Sequence, residues 1–136
     1  MRLGGRMAAS AEILADMAAR RRPVADALKD WGLSHRFAGS GDRAAIGNLV
    51  YDALRRKLSL GWRIGSDAPI ALVSAVMLDN WGESENSLRA KLTDDRFAPE
   101  LPDAEAFQHF RDANMSAAPL YVQSDVPEWT APLLTQ

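Results

Sequence analysis

The chain has 136 residues, a mass of 14.9 kDa and no cysteine. This is the length of one ordinary domain, and it excludes disulfides, cysteine-held zinc or iron–sulfur clusters and a thiol nucleophile. The formal charge of −2 argues against a generally basic nucleic-acid binder, and two histidines, His35 and His109, are too few for a histidine-rich metal site.

The charge is unevenly spread. Residues 1–63 carry twelve Lys/Arg against six Asp/Glu, and residues 64–136 carry four against twelve. One half can therefore present a basic face and the other an acidic one. A solvated surface with uneven usage is the competing reading. No apolar run approaches the roughly 20 residues of a membrane span, and the longest, Pro69 to Leu78, ends in Asp79-Asn80. The N-terminus lacks the apolar region of a secretory signal. A cytoplasmic protein, away from membranes, is expected.

In chain order, the first helix is predicted from about Ser10 to Arg21, with Ser10 as N-cap and Ile13, Leu14, Met17 and Ala18 as its apolar stripe. A second follows over Val24 to Trp31, with Gly32 ending it. His35 to Gly41 reads as a loop. The third helix starts near Ser40 or Asp42 and runs to about Leu60. Ile46, Leu49, Val50, Ala53, Leu54 and Leu58 form its broad stripe, so it is expected at the centre of the core. A strongly apolar helix begins at Pro69, capped by Asp67 or Ala68, and ends at Trp81-Gly82. A short helix from Ser84 or Asn86 to Leu92, a connector over Asp94 to Pro102, and a helix from Asp103 to about Ala113 complete the regular part. From Ala118 onward, Pro119, Pro127 and Pro132 discourage a long helix, and Leu120-Tyr121-Val122 reads as extended. No period-two pattern or internal repeat is present. The class is all-α, a bundle of about six helices over residues 1–117 with an irregular, proline-containing segment over 118–136.

No catalytic constellation or metal-ligand set stands out. Gly39-Ser40-Gly41-Asp42 precedes a helix but lacks the lysine of a phosphate loop and follows no strand, so it reads as a helix entry. Asp94-Asp95 reads as a turn rather than a catalytic pair. The functional pattern with a mechanism is basic. Arg55, Arg56 and Lys57 are consecutive, with Arg63 beyond them and Arg43 at the other end of the same helix; Arg20, Arg21 and Arg22 end the first helix. Such groups fork onto phosphates and gain affinity by releasing counterions. Equally, they complement helix C-termini and pair with Asp16, Asp26 or Asp52.

The stretch from Ser40-Gly-Asp-Arg through Leu49-Val-Tyr to Leu54-Arg-Arg56 resembles the Asp-Arg…Leu-Val-Tyr…Leu-Arg-Arg helix of NusB-like domains. It is most similar to the N-terminal domain of the Sun (Fmu, RsmB) family of ribosomal RNA cytosine-5 methyltransferases. Ala25 to Trp31, Leu33 to Phe37 and Asp125-Val-Pro-Glu-Trp129 are similar to that family too. The resemblance implies a NusB-like helical bundle, monomeric in isolation, that helps hold 16S ribosomal RNA. It implies a separate C-terminal domain that binds S-adenosylmethionine and attacks cytosine with a cysteine. This chain has no cysteine, glycine-rich cofactor loop or βαβ pattern. It is therefore expected to be non-enzymatic alone and to hold no cofactor or metal. Asp42 is carried over as a helix-start residue, and Arg43, Arg55 and Arg56 as motif arginines. The alternative is a protein-interaction module like the antitermination factors of this fold. Trp129, Leu133 and Leu134 would then contact the catalytic domain or another partner.

Overall fold

The computed structural model describes residues 1–134; Thr135 and Gln136, the end of segment 118–136, lie outside the described residues. Among the described residues there are nine α-helices, three of them formed where the third predicted helix divides and where the proline-containing tail turns helical, rather than the expected six or so, and no strand. They are α1 (Leu3–Arg20), α2 (Val24–Ser34), α3 (Ser40–Arg55), α4 (Lys57–Ile64), α5 (Pro69–Asp79), α6 (Glu85–Leu92), α7 (Ala104–Asp112), α8 (Leu120–Gln123) and α9 (Ala131–Leu134). Short 3₁₀ turns occupy Met115–Ala117 and Glu128–Thr130.

The core forms around α5, whose residues Ala71 to Met77 are all buried. A helix that is apolar all round has no face to offer water and must be surrounded. α1, α3 and α4 pack against it. α1 contributes Met7, Ile13 and Leu14, and α3 contributes Ile46, Leu49, Val50 and Ala53. α7, the most clearly amphipathic helix, adds Phe107 and Phe110 and lies on α4. Its start is the expected one: Asp103 Oδ1 accepts from Ala106 N at 2.9 Å. At α6, Ser84 caps, its Oγ accepting from Ser87 N at 3.0 Å.

Besides α2, which runs through Gly32, its expected end, to Ser34, three elements differ from the sequence expectation. α1 begins at Leu3, not at Ser10, although Gly4-Gly5 disfavours helix. The reason is distant. Asp95, in the connector after α6, is 8% exposed and places Oδ2 3.0 Å from Gly4 N. A carboxylate there satisfies an orphan N–H and meets the positive end of the helix. Ser10 is buried within α1, its hydroxyl donating to Arg6 O at 2.8 Å.

The third predicted helix is two helices. Arg56, at φ −118° and ψ 24°, separates α3 from α4. The new N-terminus is satisfied from far away: Asp125 accepts from Ser59 N at 2.7 Å and from Ser59 Oγ at 2.6 Å. Nothing in Arg55-Arg56-Lys57-Leu58-Ser59 marks a break.

Finally, Leu120–Gln123 is a helical turn, not an extended segment. Pro119 precedes it, where its fixed φ helps start a helix. Segment 118–134 folds back on α4: Ala118 and Val122 are buried, and Asp125 makes the Ser59 contacts.

Two stability tests follow from this geometry. A Cβ on Gly4 would lie 2.3 Å from Asp95 Oδ2 and 2.8 Å from Ala98 Cα, whereas one on Gly47 meets nothing within 4 Å. Gly4→Ala should therefore cost about 1–3 kcal/mol in urea unfolding, and Gly47→Ala, inside α3, should gain about 0.5–1 kcal/mol. Equal effects of the two substitutions would contradict this account. Asp125→Ala should cost about 1–2 kcal/mol and speed amide exchange in 118–134 more than in α5.

Candidate nucleic-acid interface

The α3–α4 break determines where the basic motif lies. Arg55, Arg56 and Lys57 straddle the joint, and Arg63 follows in the last turn of α4. Arg56 and Arg63 converge on one carboxylate at the C-terminal end of α5. Arg63 Nη1 donates to Asp79 Oδ1 at 2.7 Å, and Arg56 Nη1 donates to Asp79 Oδ2 and to Asn80 Oδ1, the latter at 2.7 Å. Arg63 also lies 3.9 Å from the centre of the Phe110 ring, a cation–π contact. Arg55 pairs with Asp52 but remains 69% exposed. Lys57 has no hydrogen-bond or ionic partner among the described residues. Four cations thus gather around two ion-paired carboxylates, with Asp125 nearby at the α4 N-terminus.

The other basic positions are elsewhere. Arg20 donates to Asp16 at 3.3 Å; Arg22 donates to Asp16 at 3.3 Å, to the Asp26 carbonyl at 3.3 Å and to Asp30. Arg21 adopts a left-handed conformation at the α1 C-terminus, φ 49°, with a free side chain among the described residues. Arg43 donates from Nε to Ala38 O at 3.1 Å and from Nη2 to Gly32 O at 3.3 Å, which ties α3 to the end of α2. Asp42 sits in the first turn of α3 as expected of a helix-start residue, and Arg6 Nε donates to its Oδ1 at 2.9 Å. That hydrogen bond, aided by the terminal amino group, holds its carboxyl below the usual carboxylate range.

The sequence asymmetry survives this pairing. Of the cations with no described hydrogen bond or ion pair, Arg21, Lys29, Arg36 and Lys57 lie in residues 1–63, and Arg96, set over the Phe97 ring, lies in the second half. In the second half Lys91 pairs with Glu83, and Arg89 and Arg111 with Glu85, while Asp67, Glu100, Glu105 and Glu128 have no ion pair. At the tail, Trp129 is 74% exposed, Leu133 is 61% exposed and Leu134 is half-buried.

Sequence reasoning missed Asp79, Asn80 and Asp30 as partners of these cations, because each is supplied by a different element. Among the described residues no helix is long and apolar enough to cross a membrane, and no cluster of three or more His, Asp or Glu could hold a metal ion. Comparison with known proteins found no matching family model, no matching curated protein and no matching solved structure.

Asp79 sets a pH dependence. Burial opposes its ionisation, but hydrogen bonds from Arg56 and Arg63, with their charges, outweigh that and lower its pKa. A lowered folded pKa means stability that is complete above the unfolded-state value of about 3.9 and lost as pH falls through the folded value. The urea-midpoint gap between the wild type and Asp79→Asn should thus be widest near pH 7 and shrink by about pH 3. A gap unchanged with pH would refute the assignment.

Proposed function

We propose that this chain is an RNA-holding helical domain of NusB-like type, serving a ribosomal RNA cytosine-5 methyltransferase of the family its third-helix motif resembles. The observation that carries the reading is the cluster of Arg55, Arg56, Lys57 and Arg63 at the α3–α4 joint, with two guanidiniums sharing Asp79. Exposed ion pairs are worth only about 0–1 kcal/mol. A phosphate can displace them and form charge-assisted, forked hydrogen bonds with the same arginines. Arg63 also rests on the Phe110 ring, a contact that does not depend on Asp79 and would keep it at the joint when a phosphate replaces the carboxylate.

On this reading, catalysis belongs to another domain. Addition to a pyrimidine ring through cysteine needs a thiolate, and no cysteine is present here. S-adenosylmethionine would bind in that domain, and the ribosomal RNA would be shared between the two. A second reading has one specific support. Trp129 and Leu133 expose large apolar surfaces four residues apart, which suits contact with a following domain or a separate protein.

Titration with small-subunit ribosomal RNA fragments at several salt concentrations tests the reading. Affinity should fall steeply as salt rises. Replacing Arg55 and Arg56 together by alanine should weaken binding and lower the log–log salt slope by about 1.5, the loss of two phosphate contacts. Asp79→Asn should tighten binding by releasing two guanidiniums. No detectable binding by the wild type at low salt would overturn the RNA role.

A further inference from the structure

An apolar groove of about 700 Å³ lies away from the arginine cluster, between the first half of α1, the end of α2 with its following loop, and the connector after α6. Gly5, Ala8 and Ala9 form one wall, so α1 leaves room rather than filling it. The other walls are aromatic. Trp31 and His35 stack with ring centres 4.2 Å apart and planes 6° from parallel, and His35 meets Phe37 edge-on at 5.8 Å. Phe97 faces the groove from the connector.

Phe37 is 74% exposed and Phe97 is 64% exposed. Both stand on loops that are firmly held. His35 Nδ1 lies 2.8 Å from Trp31 O, Ala38 N donates to His35 O at 3.0 Å, and Arg43 grips Ala38 O. Phe97 N donates to Asp95 Oδ1 at 3.0 Å, and Ala98 N donates to Asp95 O at 3.0 Å. The backbones that carry these two exposed rings are thus held beside one cavity. A pair of exposed aromatics bordering a concave apolar surface marks a contact site.

The charges around the groove point to the occupant. Each ring follows an arginine, as Arg36-Phe37 and Arg96-Phe97. Arg36 has no described partner, and Arg96 lies 4.8 Å from the Phe97 ring centre. Arg2, at the mouth, donates to Asp94 O at 3.0 Å. Of the two acidic lining residues, Asp95 gives its oxygens to Gly4 N and Phe97 N, while Glu12 makes no ion pair. Glu12 repels a phosphate and accepts an amino group. A backbone would therefore run beside the arginines with its bases turned toward α1.

We propose that this groove takes unpaired bases of a single-stranded RNA segment, stacked on Phe37 and Phe97, with the adjacent phosphates against Arg2 and Arg96. Aromatic faces stack on any base and pair naturally with a cationic rim. An amphipathic helix is served less well, because the aliphatic lining is limited to Met1 and small residues. The proposal rests on the RNA reading but uses a different set of residues, so the two can be separated.

The test measures binding of labelled octacytidylate, and of a fully paired RNA duplex, by the 136-residue chain. Phe37→Ala with Phe97→Ala should weaken the single strand tenfold or more and leave the affinity for the duplex, and its salt slope, unchanged. The unchanged duplex affinity of that variant excludes a folding defect, and Phe37→Tyr with Phe97→Tyr should retain binding of the single strand. If the double-alanine chain binds the octamer like wild type while the Arg55/Arg56 variant is weakened, the groove proposal falls and the RNA reading stands. If wild type binds neither RNA at low salt, both fall. A groove that takes an amphipathic helical peptide and leaves the octamer unbound is a protein dock, and the proposal is wrong.

Discussion

The carboxylate of Asp95 determines where α1 begins, and much of the molecule follows from that. α1 packs on α2, α3, α5 and α6. Its first turn contains Gly4-Gly5, which by propensity prefers coil. Asp95 reverses the preference by accepting from Gly4 N, and its other oxygen accepts from Phe97 N. Arg2 closes the contact on the Asp94 carbonyl. Gly4 is needed because the carboxylate and the Ala98 backbone occupy the space of a side chain. Without this contact, α1 would lose its first turns. The Arg6–Asp42 bridge and the small-residue wall beneath Phe37 and Phe97 would go with them.

Elements governed by local chemistry were legible in the sequence. The apolar run of α5, the stripe of α3, the Asp103 cap of α7 and the all-helical class all follow from periodicity and from the side chains next to them. Elements governed by a partner far along the chain were not. The start of α1 depends on a residue 91 positions away, and the start of α4 on one 66 positions away. Asp95 looked like part of a turn, which it is, and Asp125 like part of a tail. A lone aspartate in a loop has no local signature that says whose helix it caps.

The arginines show the same limit in another form. Their positions were readable, but their partners were not. Pairing with Asp16 and Asp52 is local to a helix face, and it occurs. Asp26 contributes its carbonyl rather than its carboxylate, and Asp30 takes the ionic role with Arg22. Arg43 belongs to the basic motif by sequence, yet its guanidinium binds the carbonyls of Gly32 and Ala38. It fixes the loop that displays Phe37. Asp79, which gathers Arg56 and Arg63, lies on a different helix and was invisible to helix periodicity.

The two surfaces are held in physically different ways, and the difference bears on how they can act. The cations at the α3–α4 joint are held by ion pairs at the surface, fully exposed at Arg55 and half-buried at Arg56 and Arg63, for which salt and a phosphate can compete. The rings at the groove stand on loops held by backbone hydrogen bonds and a buried carboxylate, which persist when salt changes. A site of the first kind gives affinity that depends on ionic strength and little discrimination between strands. A site of the second kind has its loop backbones held by hydrogen bonds before anything binds, so less backbone ordering is left to pay for when a planar base arrives. A duplex keeps its bases stacked and has none to offer such a site, whereas an unpaired segment does. On the proposed RNA reading, the joint would supply attraction and the groove selection for the unpaired strand. That division follows from how each set of side chains is anchored.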